Sequence, residues 1–258
     1  MTAIKLRSHC PLCGGEARSR VRVISRLGDD YELQECAGCG HQYISNFPAD
    51  TSSVARAVAP PPRPRHFQID RLLRRLLQGR DRPLIAEIGC GSGDVGILTN
   101  SWARFIGFEP SESQSAFAIE RGVDVRRELF SSTALPEPAD AVVIDNVLEH
   151  VEDPQALLAE GVRGLKPGGI VVVIVPNRND IRAFRKAWRD RHLWIPPDHI
   201  NYFSRKDITG LMRRQGLEVK SFGLGPLRRQ DWKFLPRALA ESVGLSLFGH
   251  NVYGIKKG

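Results

Sequence analysis

The sequence predicts an α/β protein, a parallel sheet covered by helices on both faces, preceded by a small metal-held unit. Three observations lead there. Four short apolar runs between Leu84 and Val175 alternate with helical stretches, the first run opens into a glycine-rich turn, and four of the five cysteines stand in the first 40 residues. Strands that read as continuous apolar runs separated by helices belong to a parallel sheet buried on both sides.

With 258 residues, 41% of them hydrophobic and 26% charged, the chain has room for one full-sized domain and a smaller one. Disordered and fibrous classes are excluded. The longest apolar runs, such as Ile170 to Val175, fall far short of the roughly 20 residues of a membrane span, and Met1 to Ser8 lacks the apolar core of a signal peptide. A cytoplasmic location and no membrane span are therefore expected. The formal charge of +8 invites anionic partners: nucleic acid, nucleotide-linked substrates or acidic lipid.

Residues 1–50 hold only short polar and β-branched stretches, Val21 to Ile24 and Tyr31 to Gln34, too little apolar material for an independent core. Cys10-Pro-Leu-Cys13 and Cys36-Ala-Gly-Cys39 supply what is missing. Two residues between paired thiolates let a tight turn aim both sulfurs at one ion, so Cys10, Cys13, Cys36 and Cys39 are expected to hold Zn²⁺ as a four-cysteine ribbon. Four thiolates leave no open coordination position, which makes the metal structural. His9 and His41 flank the pairs and are expected to stand by. The alternative is a chance cluster of structural or redox cysteines.

Residues 51–65 form the expected linker, stiffened by Pro60, Pro61, Pro62 and Pro64, and residues 66–258 the main domain. Phe67 to Gln78 carries Ile69, Leu72, Leu73, Leu76 and Leu77 as the stripe of an amphipathic helix. Strands follow at Leu84 to Ile88, Phe105 to Phe108, Ala141 to Ile144 and Ile170 to Val175. After Ser204 come a helix (Lys206 to Gln215), a strand (Leu217 to Gly223), a mixed segment with Trp232 and a last strand (Asn251 to Ile255). The two closing strands are expected to pair like a hairpin.

Gly89, Gly91 and Gly93 follow the first strand, where open α/β sheets bind ligands. A dinucleotide fingerprint would place its third glycine at 94, where Asp94 stands instead; an acid at a helix N-terminus repels a pyrophosphate. No Gly-Lys-Ser/Thr follows, which excludes a P-loop. The next strand ends at Glu109, placed to accept hydrogen bonds from ribose hydroxyls. The expected ligand is a nucleoside without pyrophosphate.

Glu87-Ile-Gly-Cys-Gly-Ser-Gly93, Glu109, Asn146-Val-Leu-Glu-His150 and Leu165-Lys-Pro-Gly-Gly169 together resemble the class I S-adenosylmethionine-dependent methyltransferases over about residues 66–258. The resemblance implies a Rossmann-like, seven-stranded sheet with a reversed last strand. It implies that Gly89, Gly91 and Gly93 meet the methionine end of S-adenosylmethionine, that Glu109 meets the ribose, and that Glu87, Pro110 and Asn146 belong to the cofactor site. Relatives usually carry an acid after the third strand near the adenine. The matching stretch here is Leu129-Phe-Ser-Ser132, so adenine recognition is expected from backbone groups and Phe130. Glu149 and His150 either cap a helix or touch the cofactor.

Methyl transfer to oxygen or carbon needs a proton acceptor, and histidine serves at neutral pH. Asp198-His-Ile-Asn-Tyr-Phe-Ser204 is similar to a motif of zinc-containing nucleotide-sugar C-methyltransferases, which implies His199 as base and Asp198 as its orienter. The chain is shorter than those enzymes and has Pro196 where they carry a tyrosine, which points away from carbon methylation. A structural role for His199 and Tyr202 stands beside that reading. From Arg178 to Arg191 arginines interleave with Phe184 and Trp188, with Trp194 beyond and Arg213, Arg214, Arg228 and Arg229 adding charge. Such a surface grips RNA or a nucleotide diphosphate, or is a solvated helix face. The expected function is methylation of an anionic small-molecule acceptor, a sugar, nucleotide-sugar or other metabolite, at oxygen. RNA methylation, and a non-catalytic cofactor-binding scaffold acting through its ribbon, are the alternatives.

Overall fold

The computed structural model describes residues 4–26, 28–49, 62–223 and 249–257. The chain opens with β1 (Ile4–Leu6), β2 (Ala17–Arg26), β3 (Asp29–Cys36), β4 (Gln42–Ile44) and β5 (Asn46–Pro48). β1 pairs antiparallel with β5, and β2, β3 and β4 form an antiparallel meander. β2 alternates arginine and serine with small β-branched residues and lies exposed at the sheet edge, where charge discourages further strand pairing. The opposite side is apolar: Tyr31, Leu33, Ile44 and Phe47 are buried.

Helix α1 (Pro64–Leu76) starts inside the expected linker and buries Ile69, Leu72 and Leu73. Pro64 suits the first turn, where no amide hydrogen is required. Then follow β6 (Leu84–Ile88), α2 (Asp94–Thr99), β7 (Arg104–Phe108), α3 (Glu112–Glu120), β8 (Val125–Arg126), β9 (Ala139–Asp145), α4 (Pro154–Arg163) and β10 (Leu165–Val175). After β10 come α5 (Lys186–His192), β11 (Asn201–Tyr202), α6 (Arg205–Arg214), β12 (Leu217–Ser221) and β13 (His250–Lys256).

Seven strands make the central sheet, in the order β12-β13-β10-β9-β6-β7-β8. β6 to β10 run parallel, while β13 lies antiparallel between β10 and β12. The expected seven-stranded sheet with a reversed strand is thus present, and the two closing strands pair antiparallel. Alternate residues of β6 face opposite layers. Leu84, Ala86 and Ile88 pack with Leu158, Leu211 and Met212, whereas Ile85 packs with Ile69, Leu72 and Leu73. Trp232, Arg228 and Arg229 lie outside the described residues.

The cysteine unit does not close its core alone. β11 adds to β4, so the N-terminal sheet reads β11-β4-β3-β2, and Leu193, Ile200 and Tyr202 fill the cluster begun by Tyr31, Leu33, Ile44 and Phe47. Polar contacts reinforce the seam. Arg178 Nη1 donates to the Gly40 carbonyl at 2.5 Å, Arg214 Nη2 to that of Leu12 at 3.0 Å, and the buried His41 Nδ1 lies 3.4 Å from Asp207 Oδ2.

Candidate active site

A cavity of about 440 Å³ opens at the carboxyl ends of β6, β7 and β9, beside the point where the strand order reverses. Its floor is the turn after β6. Gly89 has φ +66°, and a Cβ there would stand 2.7 Å from Val147 Cγ2; at Gly91, φ +52°, a Cβ would stand 2.9 Å from Gln114 Oε1. Both positions need the left-handed backbone and the missing side chain, which lets the main chain itself line the cavity.

Glu109, at the end of β7, accepts from the Gly91 N–H and from the Ser111 N–H, each at 2.9 Å. These bonds fix its carboxylate at the wall and join the first two βα turns. Glu87 is buried beneath, with Oε2 lacking a hydrogen-bond partner among the described residues. Burial, with Asp145 and Asp94 adding to it, holds its carboxyl well above the usual range. A buried acceptor aimed at a cavity is an open demand for a cationic or donor group.

Asn146 follows β9 with φ +54°, an uncommon backbone for a residue with a side chain, and donates from Nδ2 to Asp145 Oδ1 at 2.6 Å. Asp145 is further held by Arg65 Nε at 2.7 Å. His66 lies between two acids, Nδ1 3.2 Å from Asp94 Oδ2 and Nε2 3.4 Å from Asp145 Oδ2. Burial favours its neutral form, yet Asp145 and Asp94 outweigh burial and raise its pKa.

The far wall carries His150, Asp198 and His199. His199 Nδ1 faces the Leu193 carbonyl at 3.0 Å, and Tyr202 donates to the His199 carbonyl at 3.0 Å. The partner of His199 Nδ1 is therefore main chain, and the Asp198 carboxylate stands 3.4 Å from His150 Nδ1 instead.

Seven of the expected site residues meet at this cavity: Glu87, Gly89, Gly91, Glu109, Asn146, Asp198 and His199. Gly93 lies just behind, where a Cβ would press on Ala118 and Val123 at 3.0 Å, so it lets α2 and α3 pack closely. Phe130 sits edge-on to Phe108 in the core, ring centroids 5.0 Å apart, rather than on the wall. Pro110 is likewise outside the lining. Sequence reasoning missed Arg63, Arg65 and His66, which come from the end of the proline-rich stretch.

A family model described as a methyltransferase domain matches residues 63–221. The chain belongs to that methyltransferase family. A Mycolicibacterium smegmatis protein described as a probable S-adenosylmethionine-dependent methyltransferase is 31% identical over 160 residues, 60% of this chain and 59% of that one. A ubiquinone biosynthesis O-methyltransferase of Pseudomonas entomophila is 29% identical over 155 residues, 49% of this chain and 67% of that one. The crystal structure of a SAM-dependent methyltransferase from Thermotoga maritima, described as a possible histamine N-methyltransferase, superimposes with a TM-score of 0.50 at 25% identity. It covers 75% of this chain and 93% of that one. The chain thus spans about three fifths of the mycobacterial relative. The family match begins at Arg63, just after the proline run, and takes in every cavity residue discussed above.

The methyltransferase carries a second cluster in its N-terminal unit. Cys10, Cys13, Cys36 and Cys39 bring their sulfurs within 4.8 Å of one another, with Cys13 to Cys36 at 3.4 Å, Cys13 to Cys39 at 3.5 Å and Cys10 to Cys39 at 3.6 Å. Sulfurs ~2.3 Å from a common tetrahedral zinc would stand roughly 3.8 Å apart, so the set fits that ion with small adjustments. Both turns are closed by main-chain bonds, Gly14 N–H to the Cys10 carbonyl at 2.9 Å and Gly40 N–H to that of Cys36 at 3.0 Å. Cys90, the remaining cysteine, is buried under the glycine loop, and burial raises its thiol pKa and keeps it protonated.

Proposed function

We propose that the chain is an S-adenosylmethionine-dependent methyltransferase that modifies an oxygen of a small, anionic acceptor, a sugar, nucleotide-sugar or similar metabolite, and that its N-terminal cysteines hold a structural Zn²⁺. The observation that carries the reading is the Glu87 carboxylate, buried at the cavity floor with one oxygen lacking a partner among the described residues. A cationic amino-acid end answers that demand, and Glu109 above it suits ribose hydroxyls.

S-adenosylmethionine supplies an activated methyl group on a sulfonium. The protein's part is to orient it, exclude water and act on the acceptor hydroxyl. Gly89, Gly91 and Glu109 support the first task. His199 is the residue proposed for the last, its Nδ1 committed to the Leu193 carbonyl and Nε2 left as the acceptor nitrogen. The acceptor oxygen would give its proton to His199 Nε2 as it takes the methyl carbon, the carbon–sulfur electron pair staying on sulfur.

RNA as acceptor is favoured by one feature. A second cavity of about 310 Å³ lies between β2 and α5, where Arg22 and Arg189 stack on Trp194 at 4.3 Å and 4.2 Å from its ring centre. Arginine and aromatic surface together suit phosphates and bases.

The deciding experiment is transfer of labelled methyl from S-adenosylmethionine into fractionated RNA and metabolites. Label in a small acidic metabolite is expected. Label in RNA, with affinity falling steeply with salt, would replace that acceptor. Binding of S-adenosylmethionine with no labelled product would favour a non-catalytic scaffold. The reading includes a cytoplasmic location, supported by thiols gathered at metal-ligating distances.

A further inference from the structure

Glu149, His150 and His199 come together on the cavity wall opposite the glycine loop, each offering a ligand atom within 4.8 Å of the others. His150 Nε2 lies 3.7 Å from Glu149 Oε1, and the two imidazoles meet edge to face with ring centroids 4.9 Å apart. Two ligands that each sit ~2.1 Å from one ion stand up to roughly 4.2 Å apart, so small side-chain adjustments bring the three onto a common centre.

The surroundings hold the two rings in a ligating form. His150 Nδ1 faces the Asp198 carbonyl at 2.5 Å, with the Asp198 carboxylate at 3.4 Å, and His199 Nδ1 faces the Leu193 carbonyl at 3.0 Å. A carbonyl accepts only, so each ring carries a proton on Nδ1, and in its neutral form each has its lone pair on Nε2. Metal-bound histidines show the same arrangement, in which the far nitrogen is tied to a carbonyl or carboxylate. The main chain fixes the cluster further: Glu149's carbonyl accepts from the Ile200 N–H at 2.8 Å, and Asn201 Nδ2 donates to the Leu148 and Val151 carbonyls at 3.1 and 2.7 Å.

We infer that Glu149, His150 and His199 form a divalent-cation site at the acceptor end of the cavity. Two imidazoles and one carboxylate are the ligand set of first-row divalent ions with open positions left for exogenous oxygen. Glu87, Asp94 and Asp145 line the same cavity, the two aspartates already paired with Arg65 and His66. A cation there polarises an acceptor hydroxyl and lowers its pKa, the proton leaving to solvent; with the ion bound His199 serves as its ligand, and the proton-acceptor role proposed above belongs to the ion-free site. What the ion does rests on the methyltransferase reading; whether it binds does not.

The test uses the full chain with its cysteine site loaded with zinc, titrated with Mn²⁺ and read by the loss of the free-ion electron paramagnetic resonance signal. S-adenosylmethionine binding is measured by calorimetry on the same samples. One Mn²⁺ per chain is expected, weakened at least tenfold in Glu149→Gln and in His150→Gln. Circular dichroism of each variant checks that the fold is kept, and of the two replaced side chains His150 is the less buried, 15% exposed against 1% for Glu149. A wild-type chain that takes up no Mn²⁺ below about millimolar concentrations, or variants that titrate like it, overturns the site. Mn²⁺ binding without S-adenosylmethionine binding would sustain the cation site and remove the methyltransferase reading, and the reverse would do the opposite.

Discussion

The Ile44 N–H donates to the Ile200 carbonyl at 3.0 Å, which makes β4 of the cysteine unit a neighbour of the residue after His199. Tyr43 and Gln42 continue the pairing with Asn201 and Tyr202. The cysteine turns therefore brace the acceptor wall as well as their own loops. Removing the metal, by chelation or in a Cys36→Ser and Cys39→Ser double variant, is expected to speed amide exchange at residues 200–202 and to abolish turnover. S-adenosylmethionine affinity should change less than threefold, because Gly89, Gly91 and Glu109 hang from β6 and β7. Unchanged exchange at Ile200 would show that the ribbon is a separate attachment.

Glu109→Ala removes the acceptor of two main-chain N–H groups, at Gly91 and Ser111, along with the proposed ribose contact. Hydrogen bonds to a charged group contribute about 1.5–3 kcal/mol each. The expected result is at least a tenfold weaker Kd for S-adenosylmethionine by calorimetry, with the sheet intact by circular dichroism. An unaltered Kd would place the ribose elsewhere.

Gly89→Ala forces a methyl to within 2.7 Å of Val147 Cγ2 on a backbone at φ +66°. Strain of this kind costs on the order of 1–3 kcal/mol, and the turn must move to relieve it. A lower Tm together with a loss of cofactor binding is expected. Pairing it with Val147→Ala should recover part of the Tm and less of the binding, since the clash is relieved but the φ strain is not.

How far the sequence could be read follows from what each segment touches. β6, β9 and β10 are buried on both faces, so their apolar runs stood out against helical neighbours. The cysteines declared themselves by spacing alone. β11 gave no such sign: Asn201-Tyr202 is two residues long, and it is a strand only because β4 lies beside it. Arg65 ends the stretch read as linker and His66 opens the main domain, and neither shows a site signal in sequence, yet the first turn of α1 carries them to Asp145 and Asp94. Phe130 is expected near the adenine, and in the structure its ring packs edge-on against Phe108, a contact that no letter in the sequence announces. Asp198 precedes His199 in sequence, but the turn in which they lie brings its carboxylate to His150.

His250 starts β13, 1% exposed beside the seam between sheet and cysteine unit, and burial pushes its pKa down from 6.5 to about 4. A hydrogen bond to the Phe203 backbone and the Asp207 carboxylate oppose the shift, while Arg205 and Arg178 push with burial. The sign of the linkage follows. Above pH 6.5 the ring is neutral in both states and costs nothing. Between pH 6.5 and about 4 the unfolded chain takes up the proton while the folded one does not, so stability is lost as pH falls through that window and levels off below it. The loss is on the order of 3 kcal/mol. His250→Leu should therefore lose less stability than the wild type between pH 7 and pH 4.5, measured by urea denaturation at each pH. The difference between the two curves isolates His250 from the carboxylates that titrate in both proteins, and parallel curves would mean that His250 already carries its proton in the folded state.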